Sequence, residues 1–330
     1  MDQFVMSSSP HIRSSETTGR IMRDVLIALL PATACGVYFF GWNSLWVVLV
    51  SVAAAMGAEA LLQVLMKRRV AVGDCSAAVT GLLLALGLPP SVPFWIPMIG
   101  SVFAIALVKQ CFGGIGYNFL NPALAARAFL MVSWLGPMTA WSAPIRTIGE
   151  VSAISSASVD AISSSTALGL LKGGAPFTHA YLDLALGNVG GCIGETSAIA
   201  LALGGVYLLA RRVIDWRIPG VYVATVAAFT WIAGPEGLFT GDALYHVLSG
   251  GLMLGAIYMA TDYVTSPITG GGRIVFALGC GILTSVIRLW GGYPEGVSYA
   301  ILLMNLVVPL LDRAFAPKLF GRTALKEAAK

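Results

Sequence analysis

Charge is scarce in this chain. Asp, Glu, Lys and Arg make up 11% of its 330 residues, where a water-soluble globule carries about a quarter, so a soluble enzyme is excluded. The five cysteines, Cys35, Cys75, Cys111, Cys192 and Cys280, stand singly, with no C-x-x-C spacing and no His/Cys cluster. Neither a disulfide framework nor a complete iron–sulfur or zinc site is encoded, and they read as small apolar packing residues. His11, His179 and His246 also lack metal-ligand spacing. There is no dinucleotide fingerprint. The basic residues behind the net charge of +4 are interrupted by apolar runs, so they form no nucleic-acid face. The short alternating segments of an outer-membrane barrel are missing as well.

What the chain has instead is apolar length: 57% of its residues are hydrophobic and the mean hydropathy is +0.82. Apolar segments run at 25–41, 45–66, 75–90, 94–112, 122–142, 190–210, 218–234, 244–261, 273–290 and 297–312. At about 20 residues per span these ten consume most of the sequence. The expected fold is an all-α polytopic membrane protein of about ten transmembrane helices in a single bundle. The segment 75–90 is short and ends in Pro89-Pro90, which predicts a broken helix. The first apolar run lacks a small-residue cleavage pattern and reads as a retained span. Trp42, Trp46, Trp95, Trp134, Trp141, Trp231 and Trp290 fall at span ends, as an interfacial belt would place them.

Fifteen of the 20 Lys and Arg residues fall on one side of this pattern, before the first span and after the second, sixth, eighth and tenth. Only Arg146 and Lys172 lie in loops on the other side, and Lys109, Arg127 and Arg288 lie within or at the edges of spans. The positive-inside rule then makes both termini cytoplasmic.

The order of features repeats. Gly73-Asp74, Thr80-Gly81, Pro89, Val102-Phe103-Ala104, Lys109 and Gly113-Gly114 match Gly241-Asp242, Ser249-Gly250, Pro267, Val275-Phe276-Ala277, Arg288 and Gly291-Gly292. Each unit would hold five spans, an odd number, so the second copy is expected upside down relative to the first. The division is 1–142 and 189–330 for the two halves, with a non-cytoplasmic loop at 143–188 between them. Such folds place binding sites near the midplane, where broken helices free backbone groups, but the plan serves transporters, channels and redox carriers alike.

The loop is rich in Ser. Its stretch Asp160-Ala161-Ile162-Ser163-Ser164-Ser165-Thr166-Ala167-Leu168 sets an acidic residue six positions before a Thr flanked by small side chains. Such a Thr is open to esterification, while a plain Ser-rich linker is the bland reading. The run Gly113-Gly114-Ile115-Gly116-Tyr117-Asn118-Phe119-Leu120-Asn121-Pro122 offers paired amide donors and acceptors beside glycines. Its bland reading is an Asn cap on a helix opened by Pro122.

Gly73-Asp74-x-Ser76-Ala77, Lys109-Gln110-x-Phe112-Gly113-Gly114-x-Gly116-x-Asn118-x-x-Asn121-Pro122-Ala123, Gly194-Glu195-Thr196-Ser197, Tyr293-Pro294-x-Gly296-Val297 and the Asp160 to Thr166 element are spread along the chain. Together they resemble the RnfD/NqrB superfamily, which comprises the RnfD component of the ion-translocating Rnf electron-transport complex and the NqrB component of the sodium-pumping NADH:quinone reductase. The resemblance covers nearly the whole chain. It implies a bacterial or archaeal cytoplasmic-membrane protein, working with other Rnf subunits to pass electrons between ferredoxin and NAD while Na+ or H+ crosses the lipid bilayer. It also implies FMN on a Thr through a phosphoester, attached by a separate flavin transferase, and the matching position is Thr166. Ser164 and Ser165 replace the Gly and Ala of the family's D-x-x-[ST]-G-A-T element, and Ala167 a common Pro; both serines could compete as acceptors. A second, noncovalent flavin, riboflavin, is implied in the bundle, with Asn118, Asn121, Gly113, Gly114 and Arg127 as candidate contacts. The quinone reductase is the near alternative, though its NqrB component tends to carry a longer N-terminal extension. A small-solute channel or secondary transporter is the reading from another class.

Charges inside spans cost about 2.5 kcal/mol or more on insertion scales, which makes them functional candidates. Arg127 could neutralise a flavin or pair with a carboxylate, and Glu59 and Glu195 are candidates for an ion path, with no partner evident for either. Lys109 and Arg288, near span ends, could simply snorkel to the interface.

Overall fold

A computed structural model describes residues 16–145, 166–172, 180–234, 237–293 and 295–317. Asp160 and Ser163, Ser164 and Ser165 lie outside the described residues. Helices α1 (Thr18–Phe40), α2 (Trp42–Leu65), α3 (Ser76–Leu86), α4 (Trp95–Phe103, continued by a π-helical stretch Ala104–Gln110), α5 (Pro122–Ser133) and the short α6 (Leu135–Thr139) form the first half. After α7 (Ala167–Lys172) and α8 (Tyr181–Leu186) come α9 (Ala198–Ala210), α10 (Arg217–Ile232) and a two-stranded hairpin of β1 (Ala233–Gly234) and β2 (Gly237–Leu238). Then follow α11 (Ala243–Leu248), α12 (Leu252–Leu254, continued by a π-helical stretch Gly255–Met259), α13 (Gly270–Trp290) and α14 (Val297–Ala314). Each of the ten apolar segments therefore holds helix. Four of these helices, α1, α2, α13 and α14, are long and apolar enough to cross a membrane alone.

The ends of the elements follow from local chemistry. Asn121 accepts from the backbone N–H of Ala123 and Leu124 and is followed by Pro122 at the first helical position, where a missing N–H costs nothing. Asp242, Ser197 and Thr269 cap α11, α9 and α13 in the same manner. Neighbours also recur in order: α2 packs on α3 and α4 as α10 packs on α11 and α13, and α4 on α5 as α13 on α14. The helices α1 and α9 pack on each other.

Two helices stop inside the bundle. α3 ends before Gly87, and the carbonyls just beyond it find donors from far along the chain: Ile193 N–H to Leu88 O at 3.0 Å and the Asn43 amide to Pro90 O. Between α11 and α12 the chain breaks at Ser249, Gly250 and Gly251, and Arg288 donates to the carbonyls of His246 and Ser249. In a medium without water such groups must be paired internally. Arg288 does so from a buried position, so it does not snorkel.

Side-chain contacts gather the basic segments at one end. Arg211 pairs with Asp24 at 3.2 Å, joining the end of α9 to the start of α1; Arg273 pairs with Asp215 at 2.7 Å; and Ile268 N–H donates to Asp312 near the end of α14. Arg68 reaches Gly113 O. The opposite end holds the Ile145 N–H to Phe39 O bond at the end of α1, and Lys172 on the carbonyl of Gly291 at the end of α13. Leu30, Leu61, Val132, Leu203, Val206, Leu303 and Leu310 stand exposed along the helices, as lipid-facing side chains would.

Close approach of α1 and α9 depends on Gly204, where a Cβ would lie 2.0 Å from Ala28 O and 2.1 Å from the Tyr258 hydroxyl. That hydroxyl donates to Ala28 O and Leu201 O and ties three helical segments together. Gly204→Val is expected to destabilise the bundle by about 1–3 kcal/mol, the range for overpacking, read as a lowered Tm in detergent, while Leu203→Val on the exposed face leaves Tm nearly unchanged.

Candidate functional site

At the basic end, a cavity of about 100 Å³ lies among α1, α3, the loop before α5 and the segment 258–264. Its walls are largely apolar, with Ile21, Met22, Val25, Val79 and Leu83, and its polar groups are few: Ser76, Thr80, Lys109, Asn118, Asn121, Thr261 and Asp262. Apolar walls with a handful of convergent polar groups are the lining that a ligand pocket presents. Asn121 is held from both sides: its side-chain carbonyl caps α5 and its amide donates to Met259 O at 3.2 Å. Asn118 donates to Leu120 O. The cap and the cavity wall are thus the same residue. Gly113 and Gly114 adopt φ of +125° and +103°, conformations that suit glycine, and they shape the loop without lining the cavity.

Lys109 connects this cavity to Glu59. The π-helical stretch of α4 turns Lys109 and Gln110 inward, and Lys109 Nζ lies 2.7 Å from Glu59 Oε1 and donates to Ser76 Oγ at 2.6 Å. Gln110 and Gln63 also donate to Glu59 Oε1, at 3.0 and 3.3 Å. Glu59 is 1% exposed, and its Oε2 accepts no hydrogen bond among the described residues. Lys109 is therefore a buried partner and does not snorkel.

At the other end a second cluster forms around Arg127. Its guanidinium contacts Glu295, lies 3.6 Å from Glu195 Oε1, and donates to Cys192 Sγ at 3.3 Å and Ser298 Oγ at 3.1 Å. Glu195 enters from a 3-10 turn, Ile193–Glu195, packed against α3. Glu295 comes from the connection before α14. Next to this cluster is a small cavity of about 20 Å³ lined by Thr166, Leu168, Gly190, Gly191, Glu195, Thr196, Ser249, Gly250 and Glu295. Thr166 is buried, and its hydroxyl accepts from Gly169 N–H at 3.1 Å. Tyr245 holds the following residue through Ala167 O.

The fold thus brings Asn118, Asn121 and Lys109 together at one end, and Thr166, Glu195 and Arg127 at the other. Arg127 stands apart from the asparagines, and Glu59 apart from Glu195. Glu295 is missed by a reading of the sequence, although an acidic residue between Pro294 and Gly296 at the mouth of an apolar run is a visible signal. The partners of Glu59 and Glu195 are not visible there, because Lys109 and Arg127 meet them through tertiary packing.

Helices interrupted inside an apolar bundle, with buried ion pairs and cavities at both ends, define a polytopic membrane protein built around internal polar sites. The chain belongs to the NQR2, RnfD, RnfE family, which matches residues 5–321. It is 49% identical, over 99% of its length and 98% of the relative's, to the D component of the Na(+)-translocating ferredoxin:NAD(+) oxidoreductase complex of Acetobacterium woodii. It is 46% identical, over 96% of both chains, to the D component of the proton-translocating ferredoxin:NAD(+) oxidoreductase complex of Clostridium ljungdahlii. With the D component of the ion-translocating oxidoreductase complex of Stutzerimonas stutzeri it shares 43% identity over 95% of this chain and 94% of the relative.

Removing one member of a buried pair strands the other charge, at a cost of about 3–5 kcal/mol, whereas replacing both by apolar groups is near neutral. Lys109→Met is therefore expected to lower Tm sharply, and Lys109→Met combined with Glu59→Leu to recover most of the loss. Equal Tm for the single and double variants would contradict the pairing.

Proposed function

We propose that this chain is a membrane flavoprotein subunit of an ion-translocating ferredoxin:NAD oxidoreductase, carrying FMN on Thr166 and riboflavin in the cavity of Asn118 and Asn121. The chain works with partner subunits that hold the ferredoxin and NAD sites, and a flavin transferase loads Thr166. The observation that carries this reading is the placement of two cavities in one bundle, the Thr166 cavity away from the basic end and the asparagine cavity within it. With the basic segments facing the cytoplasm, both termini are cytoplasmic and Thr166 lies on the outer side. The two halves, 1–142 and 189–330, are read as an inverted repeat of five spans each.

The residues present suit both groups. Asn118 and Asn121 offer amide donors and acceptors for the pyrimidine edge of a planar ring, with apolar walls for its faces. Lys109 brings a positive charge to the same wall. Thr166 supplies an oxygen for a phosphoester, and Arg288 brings positive charge beside Gly250 of the same cavity's wall. A bound flavin supplies electron transfer, while the protein supplies position and electrostatics. Coupling to Na+ or H+ draws on Glu59 and Glu195, buried carboxylates each with an oxygen that accepts no hydrogen bond among the described residues.

The test is denaturing electrophoresis of the protein produced with its maturation partner. A fluorescent band is expected for the wild type and is expected to vanish completely in Thr166→Val. A colourless wild-type band, or fluorescence that survives the substitution, would overturn the assignment of Thr166.

A further inference from the structure

The outer cluster sets two carboxylates against the one guanidinium of Arg127. Glu195 and Glu295 both point at Arg127 and both line the Thr166 cavity. The Glu195 side chain is 5% exposed and that of Glu295 12%. One carboxylate oxygen of each and Cys192 Sγ lie within 4.8 Å of one another. Among the described residues, Glu195 Oε1 and Glu295 Oε1 are buried and accept no hydrogen bond. Two ionised carboxylates this close in a dry setting repel strongly, and the ordinary resolution is one proton held between them. A metal ion is the poorer occupant, because Arg127 donates to the sulfur and contacts Glu295 from within the same cluster.

The charges facing the pair are Arg127 from α5 and Arg288 from α13, which donates to Glu295 O at 3.1 Å; Cys192 and Tyr299 are the neutral titratable neighbours, and His246 stands behind Arg288. With both carboxylates ionised, two arginines and two glutamates cancel. With one proton added, the cluster carries a single positive charge.

We infer that Glu195 and Glu295 share one buried proton, and that the single positive charge this leaves on the cluster serves as counter-charge to the phosphodiester anion on Thr166. The second clause rests on the proposed flavin attachment; the shared proton does not.

The test is infrared spectroscopy of the purified complex, with glutamate labelled by 13C at the side-chain carboxyl. At neutral pH the wild type is expected to show a protonated-carboxyl C=O band that shifts with the label and in D2O. That band is expected to be lost in both Glu195→Gln and Glu295→Gln. Thr166→Val keeps the band but loses it at lower pH than the wild type, because a neighbouring anion that favours the proton is gone. Absence of the labelled band from the wild type, a measurement that needs no variant, overturns the shared proton, and so does a band unchanged in both Gln variants. In protein whose gel shows the flavin label, equal midpoints for wild type and Thr166→Val overturn the counter-charge role. A band with the expected variant losses in protein that carries no label upholds the pair while the flavin assignment falls.

Discussion

Nothing in this bundle can carry a charge without a partner, and Arg127 is where that constraint is concentrated. Its guanidinium, brought inward by α5, meets Glu195 and Cys192 from the turn before α9 and Glu295 and Ser298 from the start of α14. Three stretches of chain separated by up to 171 residues are fixed around one side chain. The cavity at Thr166 exists because these segments meet there, and truncating the guanidinium would leave two buried carboxylates facing each other. The pair of Lys109 and Glu59 plays the corresponding part at the basic end, where Lys109 also forms part of the cavity wall beside Asn118 and Asn121.

The same constraint accounts for the interrupted helices. A helix that stops inside lipid exposes carbonyls that water cannot reach, so each break must be served by a donor from elsewhere. Ile193 serves the end of α3 and Arg288 the end of α11. Because those donors come from distant segments, the breaks also bind separate stretches of the chain together. Polar atoms are thereby gathered at the breaks while lipid-facing surfaces remain apolar, which is how so few charged residues suffice to build two sites.

Much of this was legible in the amino-acid sequence. The ten apolar segments each hold helix, Pro89-Pro90 marks a real interruption, and the Asn121-Pro122 pair opens α5 as a cap. What the linear pattern conceals is pairing. Lys109 and Arg288 look like snorkelling residues because they sit near span ends; a π-helical stretch turns the first inward, and the freed carbonyls of α11 draw in the second. Arg127, five positions after Pro122, reads as a neighbour of Asn118 and Asn121, yet the helical turn carries it to the opposite cluster. Glu295 hides in a motif that is conspicuous for its Pro and Gly.

One bundle is proposed to hold two flavins, one bonded to Thr166 and one held only by packing and hydrogen bonds. The most direct measurement is acid precipitation of the native protein, followed by counting flavin in the supernatant and in the pellet. Riboflavin is expected in the supernatant and FMN on the peptide containing Thr166, in equal amounts per chain. Recovery of all flavin in one fraction, or of none in either, would contradict it.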